Sequence, residues 1–385
     1  MPATVCVVAA RRTPFGRFMG ALARRSAVDL AVHAGRAALA PARPEEIDLV
    51  ILGNVLGAGL GMNVARQAAI GLGLPAATPA FTVNMMCASG LKAVTLGAQA
   101  VLSGEARVVL CGGVESMTNA PYLLDRARAG YRIGDGVVTD SLLRDGLVDS
   151  FSHQHMALLA DRLARRLGVS RQEQDAFALR SHRLYFEART AGRYAAEIVP
   201  LPDLDNDEHP RADTSIERLA ALKPSFDPAG TITAGNASGV NDGAAMLLLC
   251  AEDTARERGW KPLARLRAWT SVGCEPEAMS LGPVHAARKL CAQERLALSD
   301  FDTIEINEAF AAQTLSCVRE LDLDQDRLNP DGGAIALGHP LGASGARLAA
   351  HLALRIAEGR SRRALAALCV GGGMGIAMAL EHGEG

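Results

Sequence analysis

Apolar and polar positions along the chain fall into two alternating periods. Residues 5–9, 48–52, 81–86 and 107–110 are short apolar runs of the length expected for buried strands. Residues 27–40 and 90–102 instead space their apolar side chains three and four apart, as in a helix with a buried face. Strands alternating with helices predict an α/β fold, a parallel sheet with helices on its faces.

The last third of the chain repeats this order. Asp302-Thr303-Ile304-Glu305-Ile306 resembles the strand at 48–52, and Ala88-Ser89-Gly90 recurs as Ala343-Ser344-Gly345. Gly104 follows Gly90 by fourteen residues, as Gly359 follows Gly345. The run after Gly104 ends at Cys111-Gly112-Gly113, and the run after Gly359 ends at Cys369, with Gly371 to Gly373 beyond. An ordered series at matched spacings predicts two related α/β halves. Cys87 corresponds to Gly342, so the halves share a scaffold but not a role.

Residues 120–235 break the pattern. They are rich in Arg and Asp, contain Pro200, Pro202, Pro210, Pro224 and Pro228, and read as loop with short elements. Only 170–193 predicts a long helix, opened by a capping box of Ser170 and Glu173. The expected organisation is a first half at 1–119 plus 240–262, an inserted loop domain at 120–239 and a second half at 263–385. Such an insertion is a natural place for a ligand groove.

Composition narrows the class. A length of 385 residues exceeds one ordinary core, and an Ala-rich, aromatic-poor composition suits close helix-on-sheet packing. A net charge of −2 argues against a broad field for a nucleic acid. The eight cysteines show no C-x-x-C pair and no Cys/His spacing, which argues against a metal site or a disulfide framework. Free thiols suit a reducing cytosol, so a cytoplasmic location is expected. The first residues lack the order of a signal peptide, and no apolar run reaches the roughly 18 residues of a spanning helix.

Four places could carry chemistry. Cys87 follows a β-rich run and precedes a helix start, where the helix dipole favours a thiolate and backbone N–H groups can hold an oxyanion. It reads equally as a buried structural cysteine. His339, between Gly338 and Pro340, is held on a turn rather than a helix face. Cys369 runs into Gly371-Gly372-Gly373, and is either a thiol at the top of the sheet or a core cysteine. Asn307-Glu308 follows a strand: Asn307 could orient a water or cap a helix, and Glu308 could partner the histidine. Cys6 and Cys250 read as core, Met85 and Met86 as packing. The glycines at 53, 57, 59 and 61 lack dinucleotide-binding spacing.

Taken together, these residues resemble the thiolases. Residues 84–93, 307–311, 332–347 and 369–375 are similar to that family's four signature blocks, and 233–243 to a fifth, in order and over essentially the whole chain. The resemblance implies two similar α/β halves, layered α-β-α-β-α, with an inserted loop domain. It implies reversible Claisen condensation and thiolysis of 3-ketoacyl-CoA, with acetoacetyl-CoA the expected substrate. By matching motif, Cys87 is the nucleophile, His339 takes its proton and Cys369 is the acid/base for the α-carbon. Asn307 holds a water that completes one oxyanion hole with His339, and the N–H groups of Cys87 and Gly371 form the other. Ser238 falls at a pantetheine contact and Arg211 at the CoA phosphates, while His155 and Met156 lie near the acyl group and pantetheine. Phe310 and Met156 border the acyl pocket.

Coenzyme A thioesters are then substrates, with no resident cofactor. The spacing between Asn119 and Phe151 matches the biosynthetic subgroup, which implies a homotetramer built as a dimer of dimers. Ala157 departs from the usual Gly, Ala160-Asp161 from Glu-Asn and His285 from Pro. Two rivals stand beside this reading: a degradative thiolase of broader chain length, and a non-catalytic CoA-binding subunit of the same fold.

Overall fold

The computed structural model describes residues 4–383, and the statements below concern those residues. Twelve strands are described: β1 (Val5–Arg12), β2 (Gly16–Arg17), β3 (Leu49–Gly53), β4 (Ala80–Val83), β5 (Val108–Ser116), β6 (Tyr122–Leu124), β7 (Val138–Asp140), β8 (Asn241–Ala251), β9 (Ala264–Gly273), β10 (Thr303–Ile306), β11 (Arg363–Val370) and β12 (Met374–Glu381). The α-helices are α1 (Ala27–Ala38), α2 (Val64–Gly71), α3 (Ser89–Ser103), α4 (Met156–Arg166), α5 (Arg171–Thr190), α6 (Ile216–Ala220), α7 (Glu252–Arg258), α8 (Gly282–Glu294), α9 (Ala311–Leu321), α10 (Ala334–Leu337) and α11 (Leu341–Ala357).

The large sheet runs β10-β11-β12-β9-β1-β8-β5-β3-β4, with β2 beside β8. The duplication read from the sequence is visible in its pairing. In the first half β3 is parallel to β5, β5 antiparallel to β8, and β8 antiparallel to β1. In the second, β10 is parallel to β11, β11 antiparallel to β12, and β12 antiparallel to β9. The halves meet where Val5–Val7 of β1 pair with 264–266 of β9. The partner that β4 makes with β3 survives in the second half only as the parallel bridge of Ile304 to Leu328. The sheet is therefore mixed, not purely parallel as the alternation of elements implied.

Three apolar clusters define the layers. The central one joins α3 and α11 to strands of both halves; α1 and α2 cover the outer face of the first half, and α4, α8 and α9 that of the second. This is the α-β-α-β-α layering. The repeated Ala-Ser-Gly has a steric cause. A Cβ on Gly90 would lie 2.6 Å from the Gly342 carbonyl oxygen, and one on Gly345 would lie 2.6 Å from the Leu91 nitrogen. Helices α3 and α11 thus cross backbone to backbone, each supplying one glycine. Strand β5 runs past Gly113 to Ser116, paired with β8, and Gly113 is glycine because a Cβ there would strike the Gly342 carbonyl at 1.9 Å.

No strand of the large sheet comes from 120–239, but that stretch holds more order than expected. Helix α4 has a clear buried face, and α5 begins with the predicted Ser170–Glu173 capping box. A buried ion-pair network ties the stretch to both halves. Asp331 accepts from Arg193 at 2.6 Å, Arg355 and Arg360 at 2.7 Å and His351 Nε2 at 3.1 Å. His351 Nδ1 lies 2.6 Å from Glu197, which with Asp207 also holds the fully buried Arg12. With both ring nitrogens on carboxylates, His351 is a double donor, and those charges raise its pKa to about 9 despite burial. Among the described residues no helix is long and apolar enough to cross a membrane.

Candidate active site

Cys87 stands on a tight turn between β4 and α3. The predicted strand 81–86 stops at Val83, and Met86 takes a left-handed φ of +48°, uncommon for a side chain of that size. The turn is pinned by side chains: Met85 N–H donates to Ser89 Oγ at 2.8 Å, Ser89 Oγ donates to the Met86 carbonyl at 2.7 Å, and Met86 N–H donates to Asn84 Oδ1 at 2.9 Å. This geometry delivers Cys87 to the N-terminal end of α3. Burial pushes its thiol up to about 11, opposed by the backbone N–H groups of Gly371 and Cys87 itself. Those amides lower the thiol pKa as donors to a negative sulfur would. A Cβ on Gly371 would lie 2.9 Å from the Met156 sulfur, so a side chain there would displace Met156 on the cavity wall.

His339 sits between α10 and α11, its backbone N–H bonded to Asn241 Oδ1 at 2.9 Å. Its tautomer follows from Ser344, which in the sequence marks only the repeated Ala-Ser-Gly. Ser344 Oγ donates to the Pro340 carbonyl at 2.9 Å, so at 2.5 Å from His339 Nδ1 it can only accept. The ring therefore carries its proton on Nδ1. Its Nε2 keeps a lone pair, 3.3 Å from Asn307 Nδ2. Burial lowers the His339 pKa to about 4, so the ring is neutral near pH 7 and able to take a proton only as one is offered. Cys369, near the end of β11, is buried, and burial followed by the neighbouring Cys87 raises its thiol well above the usual value.

Cys87, His339, Cys369 and Gly371 line one cavity of about 110 Å³, with Ser238, His155, Met156 and Phe310 also on its wall. Asn307 stands behind it on His339. Two distant signature blocks are zipped together here, since Ser238 N–H donates to the Ala309 carbonyl and Ala311 N–H to the Asn236 carbonyl. His155 Nδ1 accepts from Ala157 N–H at 3.1 Å, leaving Nε2–H as the donor available to a ligand. Phe226 stacks on this ring at 4.3 Å. The departure Asp161 is buried and takes Thr231 N–H at 2.9 Å, which braces the loop bearing Phe226. His285 is exposed on α8.

Two placements differ from the simplest reading. Glu308 does not partner the histidine; its carboxylate is consumed by Ser181 Oγ at 2.6 Å, Asn329 Nδ2 at 2.8 Å and Ile335 N–H at 3.1 Å. It braces the glycine turn before α10 instead. Asn307 does not cap α9, whose N-cap is Phe310. Arg211 lies outside the cavity, on a separate open groove with His182 and Arg183, where His182 Nδ1 accepts its backbone N–H. Leu147, Phe226 and Met279 line the cavity without any motif to mark them.

Comparison with known proteins agrees with this geometry. Residues 5–253 match the family model for the thiolase N-terminal domain, and 260–382 that for the thiolase C-terminal domain. The chain is 47% identical to an acetyl-CoA acetyltransferase of Escherichia coli, covering 98% of both, and 46% identical to one of Chromobacterium violaceum, covering 98% of this chain and 99% of the other. Among solved structures, the Bacillus anthracis acetyl-CoA acetyltransferase superposes with a TM-score of 0.96 at 40% identity, covering 98% of both chains. Human mitochondrial 3-ketoacyl-CoA thiolase in complex with CoA does so with a TM-score of 0.97 at 41% identity, covering 99% of this chain and 98% of the other.

Proposed function

The chain belongs to the thiolase family, and from that premise we propose that it is an acetyl-CoA C-acetyltransferase, exchanging acyl groups between coenzyme A thioesters through an acyl-Cys87 intermediate. The observation that carries this is the convergence of Cys87, His339 and Cys369 on one small cavity, with the Gly371 amide on the Cys87 sulfur.

The chemistry follows from that set. His339 Nε2 takes the Cys87 proton as the sulfur attacks the thioester carbonyl, and the resulting imidazolium and the Asn307 side, through a water, steady one developing oxyanion. The Cys87 and Gly371 amides receive the other. Splitting the exchange through a thioester on Cys87 replaces one difficult step by two easier ones. Preorganised amides need no reorganisation as charge develops. Cys369 removes the α-proton in condensation and returns it to the leaving carbanion in cleavage. These side chains supply the acid/base and nucleophilic work, and coenzyme A enters as substrate rather than as a resident cofactor.

The cavity, of about 110 Å³, fits a compact acyl group. We assign Ser238 and His155 Nε2–H, on the cavity wall, to the pantetheine arm and Arg211, on the separate groove, to the phosphates. Thiolysis of acetoacetyl-CoA and a long-chain 3-ketoacyl-CoA, side by side with Cys87→Ala, is the test. Cleavage of acetoacetyl-CoA alone, lost in Cys87→Ala, is expected. Efficient long-chain cleavage would replace this reading with the degradative one, and an active Cys87→Ala would refute the mechanism.

We further assign a homotetramer in the cytoplasm. Edge strand β4 is free to pair with another copy, and the β6–β7 hairpin region exposes Tyr122, Ile133, Val137 and Val138, an apolar surface that suits burial between dimers. The eight cysteines are free thiols. A monomer on size-exclusion chromatography would contradict the assembly.

A further inference from the structure

Glu115, on β5, is a fully buried acid with no role in the scheme above. Its two oxygens accept four hydrogen bonds. Oε1 takes Asn54 Nδ2 at 2.8 Å and Leu56 N–H at 3.0 Å, and Oε2 takes Val55 N–H at 3.0 Å and Gly342 N–H at 2.8 Å. The side chains of Val55, Leu56 and Leu341 are those that pack around Cys87. One carboxylate thus holds the backbone of two wall segments of the nucleophile, the loop after β3 and the first turn of α11. It also caps the first turn of α11, where Gly342 occupies the position that Cys87 has in the other half. The dipole of α11 is spent on Glu115, while the N-terminal end of α3 stays open to sulfur.

We propose that Glu115 is a positioning residue for acyl transfer, which fixes the wall of the Cys87 pocket through its four acceptor contacts and restrains the Cys87 thiolate through its charge. This rests on Cys87 being the nucleophile. Four donors and no acceptor around the carboxyl favour the ionised form, since a protonated acid would need a partner for its own proton. Burial works the other way and brings its pKa to about 7, with Asp242 on β8 adding to the rise. The ionised Glu115 in turn raises the Cys87 thiol. The other titratable groups facing Cys87 do not change charge near pH 7. His339, ahead of α11, is held at about 4, and Cys369 on β11 is raised well above the ordinary thiol value. Below pH 7 Glu115 becomes neutral and the thiolate is less opposed; above it the restraint is complete.

The experiment is iodoacetamide labelling of Cys87 in the intact protein from pH 5.5 to 9.5, read by peptide mass mapping, in wild type and Glu115→Gln. The wild-type rate should rise with pH less steeply around 7 than on either side. Glu115→Gln should give a single straight rise in log rate and label about threefold to tenfold faster at pH 8, the equivalent of half to one pKa unit. Its thiolysis turnover should fall, because an amide offers only one acceptor oxygen to four donors. A wild-type profile without the shallow region overturns the proposal, as does a Glu115→Gln profile parallel to wild type, which would mark a purely structural residue. If Glu115→Gln does not fold, the wild-type profile alone decides. Activity of Cys87→Ala separates failure of the nucleophile assignment from failure of this one.

Discussion

Replacing Ser344 by Ala removes one buried hydroxyl and leaves every group that would touch substrate in place. In the native site that hydroxyl fixes His339 as the Nδ1–H tautomer, at 2.5 Å from Nδ1 and 2.9 Å from the Pro340 carbonyl. Without it the Nδ1–H is a buried donor with no acceptor, which costs about 1–3 kcal/mol. The ring escapes by moving its proton to Nε2, where it can no longer accept from Cys87. If the cost is felt in the acylation transition state, kcat falls about 5- to 140-fold, at roughly 1.4 kcal/mol per tenfold. KM should change little, because Ser344 lies behind the ring. The deficit should be flat between pH 6 and 8, since burial lowers the His339 pKa to about 4 and the ring is neutral throughout that range. Steady-state thiolysis of acetoacetyl-CoA at three pH values, with a thermal melt to exclude unfolding, is sufficient. A folded Ser344→Ala enzyme within twofold of wild-type kcat would refute the tautomer argument.

Cys369→Ala should still form acetyl-Cys87 from acetyl-CoA, detectable by intact mass, yet lose exchange of the α-protons with solvent deuterium; retained exchange would remove Cys369 from its assigned role. Gly113→Ala places a Cβ 1.9 Å from the Gly342 carbonyl at the crossing of α3 and α11, and overpacking against backbone should cost upward of about 3 kcal/mol, seen as a lowered melting temperature. The His351 network predicts a pH dependence with a definite sign. Because the folded pKa of His351 is raised to about 9, its contribution is complete below about 6.5 and is lost as pH rises through 9; that of Glu197, held at about 2, is complete above about 4.5 and is lost as pH falls through 2. Melting temperature should therefore decline between pH 6.5 and 9, and His351→Gln, though less stable overall, should show a smaller decline there.

Much of the architecture was legible in one dimension. Apolar periodicity located α1 and α3, and a capping box α5, to within a few residues, and the spacing of Ala-Ser-Gly, the later glycines and the terminal cysteines exposed the duplication. Antiparallel β8 and β12 escaped it because a continuous apolar run does not state its direction; only pairing partners do. Helix α4 was missed because its alternation of Leu and Arg lay in a stretch dominated by loop composition. Cys87, His339 and Cys369 could be singled out because each stands beside glycines or a proline that constrain its backbone. Phe226, Met279 and Leu147 could not, since an apolar residue that lines a cavity looks the same in sequence as one that fills a core.

By itself, the sequence determined the repeated α/β pattern, the crossing glycines and the presence of two thiols and a histidine at strand and turn ends. Those are local properties: periodicity, steric permission and residue type. The tertiary structure alone decided that Glu308 serves a glycine turn rather than the histidine, that Ser344 sets the His339 tautomer, and that Glu115 gathers amides from the loop after β3 and the first turn of α11 behind Cys87. The Glu308 and Glu115 contacts depend on which donors a buried acceptor meets across 21 to 227 residues of chain, and the Ser344 contact on how the turn into α11 folds back on His339. Burial makes such partners obligatory, but only packing chooses them.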